Sequence, residues 1–164
     1  MRRANVAYIA VIMTVRSRPY VAGDFSSCLS IFESNVPTYF ASAEREQFVQ
    51  FLETMDPLRY LYFVSTLDGA VVACHGLELD ATNQRASFAW GMVDRAFHGR
   101  GVGTCMTRDR IKIAKETPNV AEVVLSTSQR THGFYARHGF VVTKITPDGF
   151  GPGLDCYDMR LLLA

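Results

Sequence analysis

The sequence lacks a long apolar run, an excess of either charge, a close pair of cysteines and any low-complexity tract, and each absence removes a class of protein. Seventeen Lys and Arg stand against sixteen Asp and Glu, for a formal net charge of +1. That balance leaves no electrostatic footprint for nucleic acid or an anionic membrane, although a local basic patch could hold a small anion. The four cysteines, Cys28, Cys74, Cys105 and Cys156, form no C-x-x-C pair, so neither a structural zinc site nor any other metal is expected. They read as buried, reduced thiols of a cytosolic (cytoplasmic) protein. Repeats and Pro/Gly/Ser linkers are missing too, which favours one continuous domain.

The N-terminus mimics a targeting signal, with Met1-Arg2-Arg3 ahead of the apolar stretch Val6 to Met13. The stretch is short, Tyr8 interrupts it, no small-residue cleavage site follows, and it cannot span a bilayer. Residues 1–12 are therefore expected to be a tail or strand extension, and 13–164 a single domain. Met13 is a candidate start, because Met13-Thr14-Val15-Arg16 can open a strand unaided.

What is present is an ordinary globular composition, 48% apolar and 20% charged over 164 residues, ample for a sizeable core. A first strand is predicted over Met13–Arg18. Asp24 is read as the N-cap of a helix toward Ser34, with Phe25, Cys28, Leu29 and Phe32 on one face, ended by Asn35 and Pro37. Ser42 is the expected N-cap of a second helix, in which Glu44 and Glu46 favour the positive end of the dipole. A meander of strands follows, Tyr60–Ser65, Ala70–Leu79 and Arg85–Val93, with a hairpin turn at Leu67-Asp68-Gly69. A glycine loop then opens a helix ending near Lys115. Val120–Ser126 reads as a doubly buried strand, Arg130–Arg137 as a short helix closed by Gly139, and Phe140–Thr143 and Tyr157–Leu163 as final strands. The expected class is α/β, an α+β mixed sheet in the order β-α-α-β-β-β-α-β-α-β-β.

The chemistry concentrates in the glycine loop, His98-Gly99-Arg100-Gly101-Val102-Gly103-Thr104. Between a strand end and a helix start, alternating glycines let the backbone close on a ligand and adopt positive φ, and free N–H groups make a nest for a pyrophosphate. Arg100 adds a cation at its mouth. A P-loop would need G-K-[ST], and Thr104-Cys105 follows instead. A dinucleotide fingerprint needs G-x-G-x-x-G after the first strand of a parallel unit, and this loop follows a meander.

In this loop the chain resembles the GNAT superfamily of N-acetyltransferases, whose cofactor motif is [Q/R]-x-x-G-x-[G/A], with His98 standing where Gln or Arg is usual. Downstream, Phe134-Tyr135 and Gly139-Phe140 match the family's aromatic-Tyr helix and Gly-Phe, and Ser128 takes the place of an Asn that often bonds the pantetheine arm. The resemblance spans Met13 to Leu163. It implies a GNAT-like fold with a partly splayed sheet, acetyl-CoA as co-substrate, and Tyr135 as the acid that protonates the leaving thiolate. It implies a bulge near Gly91, N–H groups near Gly91 or Met92 that polarise the acetyl carbonyl, and Val93 bonded to pantetheine. The implied cofactor set is Met92, Val93, His98, Gly99, Arg100, Gly101, Val102, Gly103, Thr104, Ser128 and Phe134. Where some members carry a base, this chain has Ser87. The base is unassigned among His75, Glu78, Asp80 and a water chain. Phe32, Glu33, Asn35, Pro37, Tyr39 and Phe40 and the loop Asp148–Asp155 are expected around the acceptor, and Trp90 is either pocket border or core.

The expected activity is acetyl transfer to a primary amine of a small molecule or peptide. The competing reading is a non-catalytic acyl-CoA-binding module. The N-terminal apolar segment and the final strand are candidate surfaces for a homodimer.

Overall fold

The computed structural model describes residues 14–164, so the expected tail and the strand start at Met13 lie outside the described residues. The elements are β1 (Val15–Pro19), α1 (Phe25–Asn35), α2 (Glu44–Thr54), β2 (Tyr60–Leu67), β3 (Ala70–Asp80), β4 (Arg85–Val93), α3 (Val102–Glu116), β5 (Glu122–Thr127), α4 (His132–Ala136), β6 (Val141–Gly151) and β7 (Leu154–Leu162). Their order is the one the sequence predicts. They form one seven-stranded sheet, β1-β2-β3-β4-β5-β7-β6, antiparallel except at β4–β5. That pair is parallel because α3 carries the chain back across the sheet between them.

Local chemistry explains the turns. Asp68 and Gly69 both have positive φ, 50° and 83°, the conformation of a two-residue hairpin loop. Asp80 takes the backbone N–H and side-chain amide of Asn83 and so holds the β3–β4 turn. On one face of the sheet α1 and α2 bury Cys28, Ile31, Phe32, Phe48 and Leu52 against Tyr62, Val64, Cys74 and Met92. On the other, Val102 and Met106 of α3 pack on Leu67, Val72 and Ala73, and Ala114 packs on Leu77, Ala86 and Val123. Val64 and Leu67 face opposite layers because side chains alternate along a strand.

Several local expectations are corrected. Asp24 stands at the N-cap of α1 as expected, but its carboxylate makes no capping bond there. It accepts two bonds from the Arg18 guanidinium, 2.7 and 2.8 Å, and one from the Val21 N–H, and the bond from Arg18 pulls it below the usual carboxylate range. A bidentate cation is the stronger partner. The N-cap of α2 is Ala43, not Ser42; Glu44 accepts the Ala41 N–H at 2.7 Å and closes the loop from inside the helix. Asp148–Asp155 is not a free loop but the end of a β6–β7 hairpin. Asp148 accepts the Gly153 N–H at 2.6 Å and Asp155 the Asp148 N–H at 2.9 Å, repairing a ladder that slips between Thr146 and Gly151. Cys28 and Cys74 are buried as expected, but Cys105 is exposed and Cys156 half-buried.

Candidate active site

The site exists because β4 and β5 pair only briefly. Their ladder covers Arg85–Ser87 against Glu122–Val124 and stops. Beyond it the strands part, and a cleft of about 1070 Å³ opens between Phe88–Val93 on one side and Leu125–Ser128, Phe134 and Tyr135 on the other.

A bulge sharpens the opening. Met92 pairs with Cys74 and Ala89 with Gly76, so Trp90 and Gly91 together oppose His75. The sequence places the bulge at Gly91, yet the positive φ, 39°, falls on Trp90, a cost that surrounding structure must hold in place. The Tyr62 hydroxyl supplies part of that hold, donating to the Trp90 carbonyl at 2.9 Å. Gly91 serves another purpose: a Cβ there would lie 2.7 Å from Nη1 of Arg110.

At one end of the cleft lies the glycine nest. Gly99 and Gly101 have φ of 74° and 81°, and nothing lies within 4 Å of where their Cβ atoms would be. Gly101 is the N-cap of α3, and no side chain caps it, so the first turn keeps its donors for a ligand. Gly103 differs from the expectation. It is already helical, and a Cβ there would make only an ordinary contact with the Phe134 ring edge at 3.5 Å.

Of the residues expected from sequence, the cleft gathers Met92, Val93, His98, Gly99, Gly101, Gly103, Thr104, Ser128, Phe134 and Tyr135. Two do not join them. Val102 is buried against Leu67 and Val72, and Arg100 is exposed over the Phe97 ring, 5.2 Å from its centroid. His98 is spent on the scaffold: its Nε2 donates to the Val93 carbonyl at 2.9 Å, an oxygen that also accepts the Asn35 amide at 2.8 Å. Ser128 is buried and accepts the Arg130 N–H. Tyr135 is set by an aromatic frame of Phe88, Phe134 and Phe140, centroids 5.1–6.2 Å away.

The cleft is also aromatic and acidic. Phe40, Phe51, Tyr60, Trp90 and Phe150 line it with Glu44 and Glu78, and Tyr39 joins them edge-on to the His98 ring, 5.2 Å between centroids. Trp90 is both core and border, stacked on Phe40 and tilted against Phe48 and Phe51. Phe32 lies wholly in the core, Glu33 pairs with Arg45, and Asp148 and Asp155 serve their hairpin. Among the expected bases, His75 is buried with Nε2 near the Ser65 and Ser17 hydroxyls, and burial drives it well below its usual value. Asp80 belongs to its turn. Glu78 reaches the cleft but is bound to Arg59. Glu44 was not anticipated: its position in the first turn reads as a dipole charge, whereas burial beside the cleft raises its carboxyl above the usual range. Arg110, Arg130 and Arg137 also line the cleft. Arg110 was not anticipated either; a cation on the Val102–Met106–Arg110–Ala114 stripe marks its burial but not its place at the cleft.

Among the described residues no three His, Cys, Asp or Glu gather as a metal site, and no helix is long and apolar enough to cross a membrane. The fold is shared with a protein assigned to the GNAT acetyltransferases of Desulfovibrio desulfuricans (19% identity, 92% of this chain and 100% of that one, TM-score 0.77). It is shared with the ribosomal-protein-S18-alanine N-acetyltransferase of Escherichia coli (16%, 92% and 95%, 0.75) and with the spermidine N-acetyltransferase of Vibrio cholerae (16%, 90% and 95%, 0.72). No curated protein sequence matches the chain significantly. The model of the acetyltransferase (GNAT) domain matches residues 59–142, which hold the meander, the glycine nest, the splayed strands and Tyr135, and on that match the chain belongs to the GNAT family of acetyltransferases.

Proposed function

We propose that the protein moves the acetyl group of acetyl-CoA to a primary amine. The observation that carries this is one continuous cleft that gathers three kinds of wall. An uncapped helix N-terminus with Arg130 and Arg137, the phenol of Tyr135, and an aromatic surface with two carboxylates all line it. The residues fit the co-substrate. The nest of Gly99, Gly101 and the first turn of α3 would hold the pyrophosphate, and Ser128, Phe134 and the β4 edge at Met92 and Val93 would flank the pantetheine. Bound acetyl-CoA supplies an activated acyl group.

The chain's own residues do the rest. Tyr135 gives a proton to the departing sulfur. Glu44, its carboxyl raised by burial, takes the proton from the ammonium of the acceptor, a task for which a higher proton affinity suits a carboxylate. Tyr39, Phe40, Tyr60 and Trp90 face the body of the amine and exclude water. The match to the S18-alanine and spermidine enzymes supports an amine acceptor in a small molecule or peptide. Four free thiols support a cytoplasmic setting, and the chain from 13 onward acts as one domain.

Acetyl-CoA should protect the fold against heat, and a panel of amines should release free CoA. Tyr135→Phe should slow turnover by roughly 10²–10⁴-fold while keeping that protection. No thermal shift at saturating co-substrate, or an unchanged rate in Tyr135→Phe, overturns the respective part of this reading.

A further inference from the structure

Arg110 is the most demanding side chain in the molecule. Its side chain is fully buried, and both terminal nitrogens, Nη1 and Nη2, have no hydrogen-bond partner among the described residues. Only Nε is satisfied, through the Met106 carbonyl at 3.3 Å. The guanidinium lies flat against Phe88, Cζ 3.7 Å from the ring centroid, and Gly91 is the opening through which it reaches the bulge of β4. Tyr135 faces it without completing a bond of normal geometry. Burial lowers its affinity for a proton, but a guanidinium stays charged at neutral pH.

A dry, unpaired charge is a net loss to folding, and an apolar side chain of similar volume on this helix stripe would be cheaper. Arg110 is among the residues lining the cleft, and its unused donors lie directly behind Gly91, beside the bulge and the phenol, where negative charge is to be handled. We propose that Arg110 is an anion-stabilising residue of the reaction centre, holding the negative charge that gathers on the CoA sulfur as the acyl group leaves. This rests on the acetyl-CoA reading above. In the transfer a C–N bond forms and the C–S bond breaks with its electron pair passing to sulfur; the amine gives up one proton and the sulfur gains one. A fixed cation lowers the cost of the charged moment before that proton arrives, and it does so most strongly where water is excluded. Its second effect is to aim the Tyr135 oxygen at the same point.

The test compares CoA with desulfo-CoA, which lacks only the sulfur, by calorimetry from pH 6 to 9. The wild-type protein should bind CoA progressively more tightly as pH rises, by up to about tenfold per unit, relative to desulfo-CoA, because the thiolate is the preferred form. Arg110→Met should abolish that difference while binding desulfo-CoA normally, and should melt no lower than wild type because a buried unpaired charge is gone. Arg110→Lys should keep part of the difference. Equal pH profiles for the two ligands in the wild type, or a difference that survives in Arg110→Met, overturn the proposal. If Arg110→Met does not fold, the wild-type and Arg110→Lys profiles decide it. Failure of both ligands to bind the wild type overturns the acetyl-CoA reading itself, and this inference with it.

Discussion

At the scale of the residue, the interior has turned two titratable groups to different ends. His75 is fully buried, its Nδ1 has no partner among the described residues, and desolvation, with the nearby Arg110 charge as a second cause, drives its proton affinity well below the ordinary 6.5. The unfolded chain therefore binds a proton below about pH 6.5 that the folded chain refuses. Stability is fully present above that pH and declines as pH falls, by about 1.4 kcal/mol for each unit until the folded group also titrates. His75→Gln should flatten this slope in denaturant melts between pH 5 and 7; a slope equal to the wild type's would show that other groups carry it. Glu44 is shifted upward by burial but stays at the cleft, where a carboxyl of higher proton affinity is useful. Glu44→Gln keeps the bond to the Ala41 N–H. It should lower kcat and remove the acidic limb of the pH–rate profile with little change in melting temperature, and an unaltered acidic limb would leave the base to water.

At the scale of the element, the start of α3 shows how two glycines in one motif divide their work. Gly101 needs its left-handed φ of 81°, which costs an alanine about 1–2 kcal/mol. Gly103 has helical φ and only an ordinary contact with Phe134 at 3.5 Å. Gly101→Ala should lose about that stability and weaken CoA binding at least tenfold, since its methyl would project into open space over the nest. Gly103→Ala should fold as well as wild type or better, by up to about 1 kcal/mol from helix propensity. Calorimetry and thermal melts separate the two; equal losses would mean that the nest is not the binding feature. The bulge in β4 follows similar logic. A glycine was the natural residue to expect there, but Trp90 takes the strained position because its ring is anchored among Phe40, Phe48 and Phe51.

At the scale of the whole molecule, the cleft is a fault in an otherwise continuous sheet. One side belongs to the β1–β4 meander with α1 and α2, the other to β5, α4 and the β6–β7 hairpin, and Gln129 ties that hairpin to the turn before α4 through Gly153 and Asp155. A ligand bound in the cleft bridges the two sides. Hydrogen exchange with CoA should slow together at 99–104, at 90–93 and at 128–135, while β1 stays unchanged. Protection confined to one side would place the ligand elsewhere.

The order of elements, the single mixed sheet and the nest were legible in the sequence, because periodicity, turn residues and glycine spacing are local properties of the chain; the Phe134-Tyr135 pair stood out only through the resemblance to the GNAT family. Tertiary structure alone decided which side chains face the cleft. His98 and Asp148 look free in sequence and are consumed by the scaffold; Glu44 and Arg110 look like surface charge and helix filler and are brought to the site. Their roles depend on desolvation and on partners far along the chain, and neither is written in local spacing.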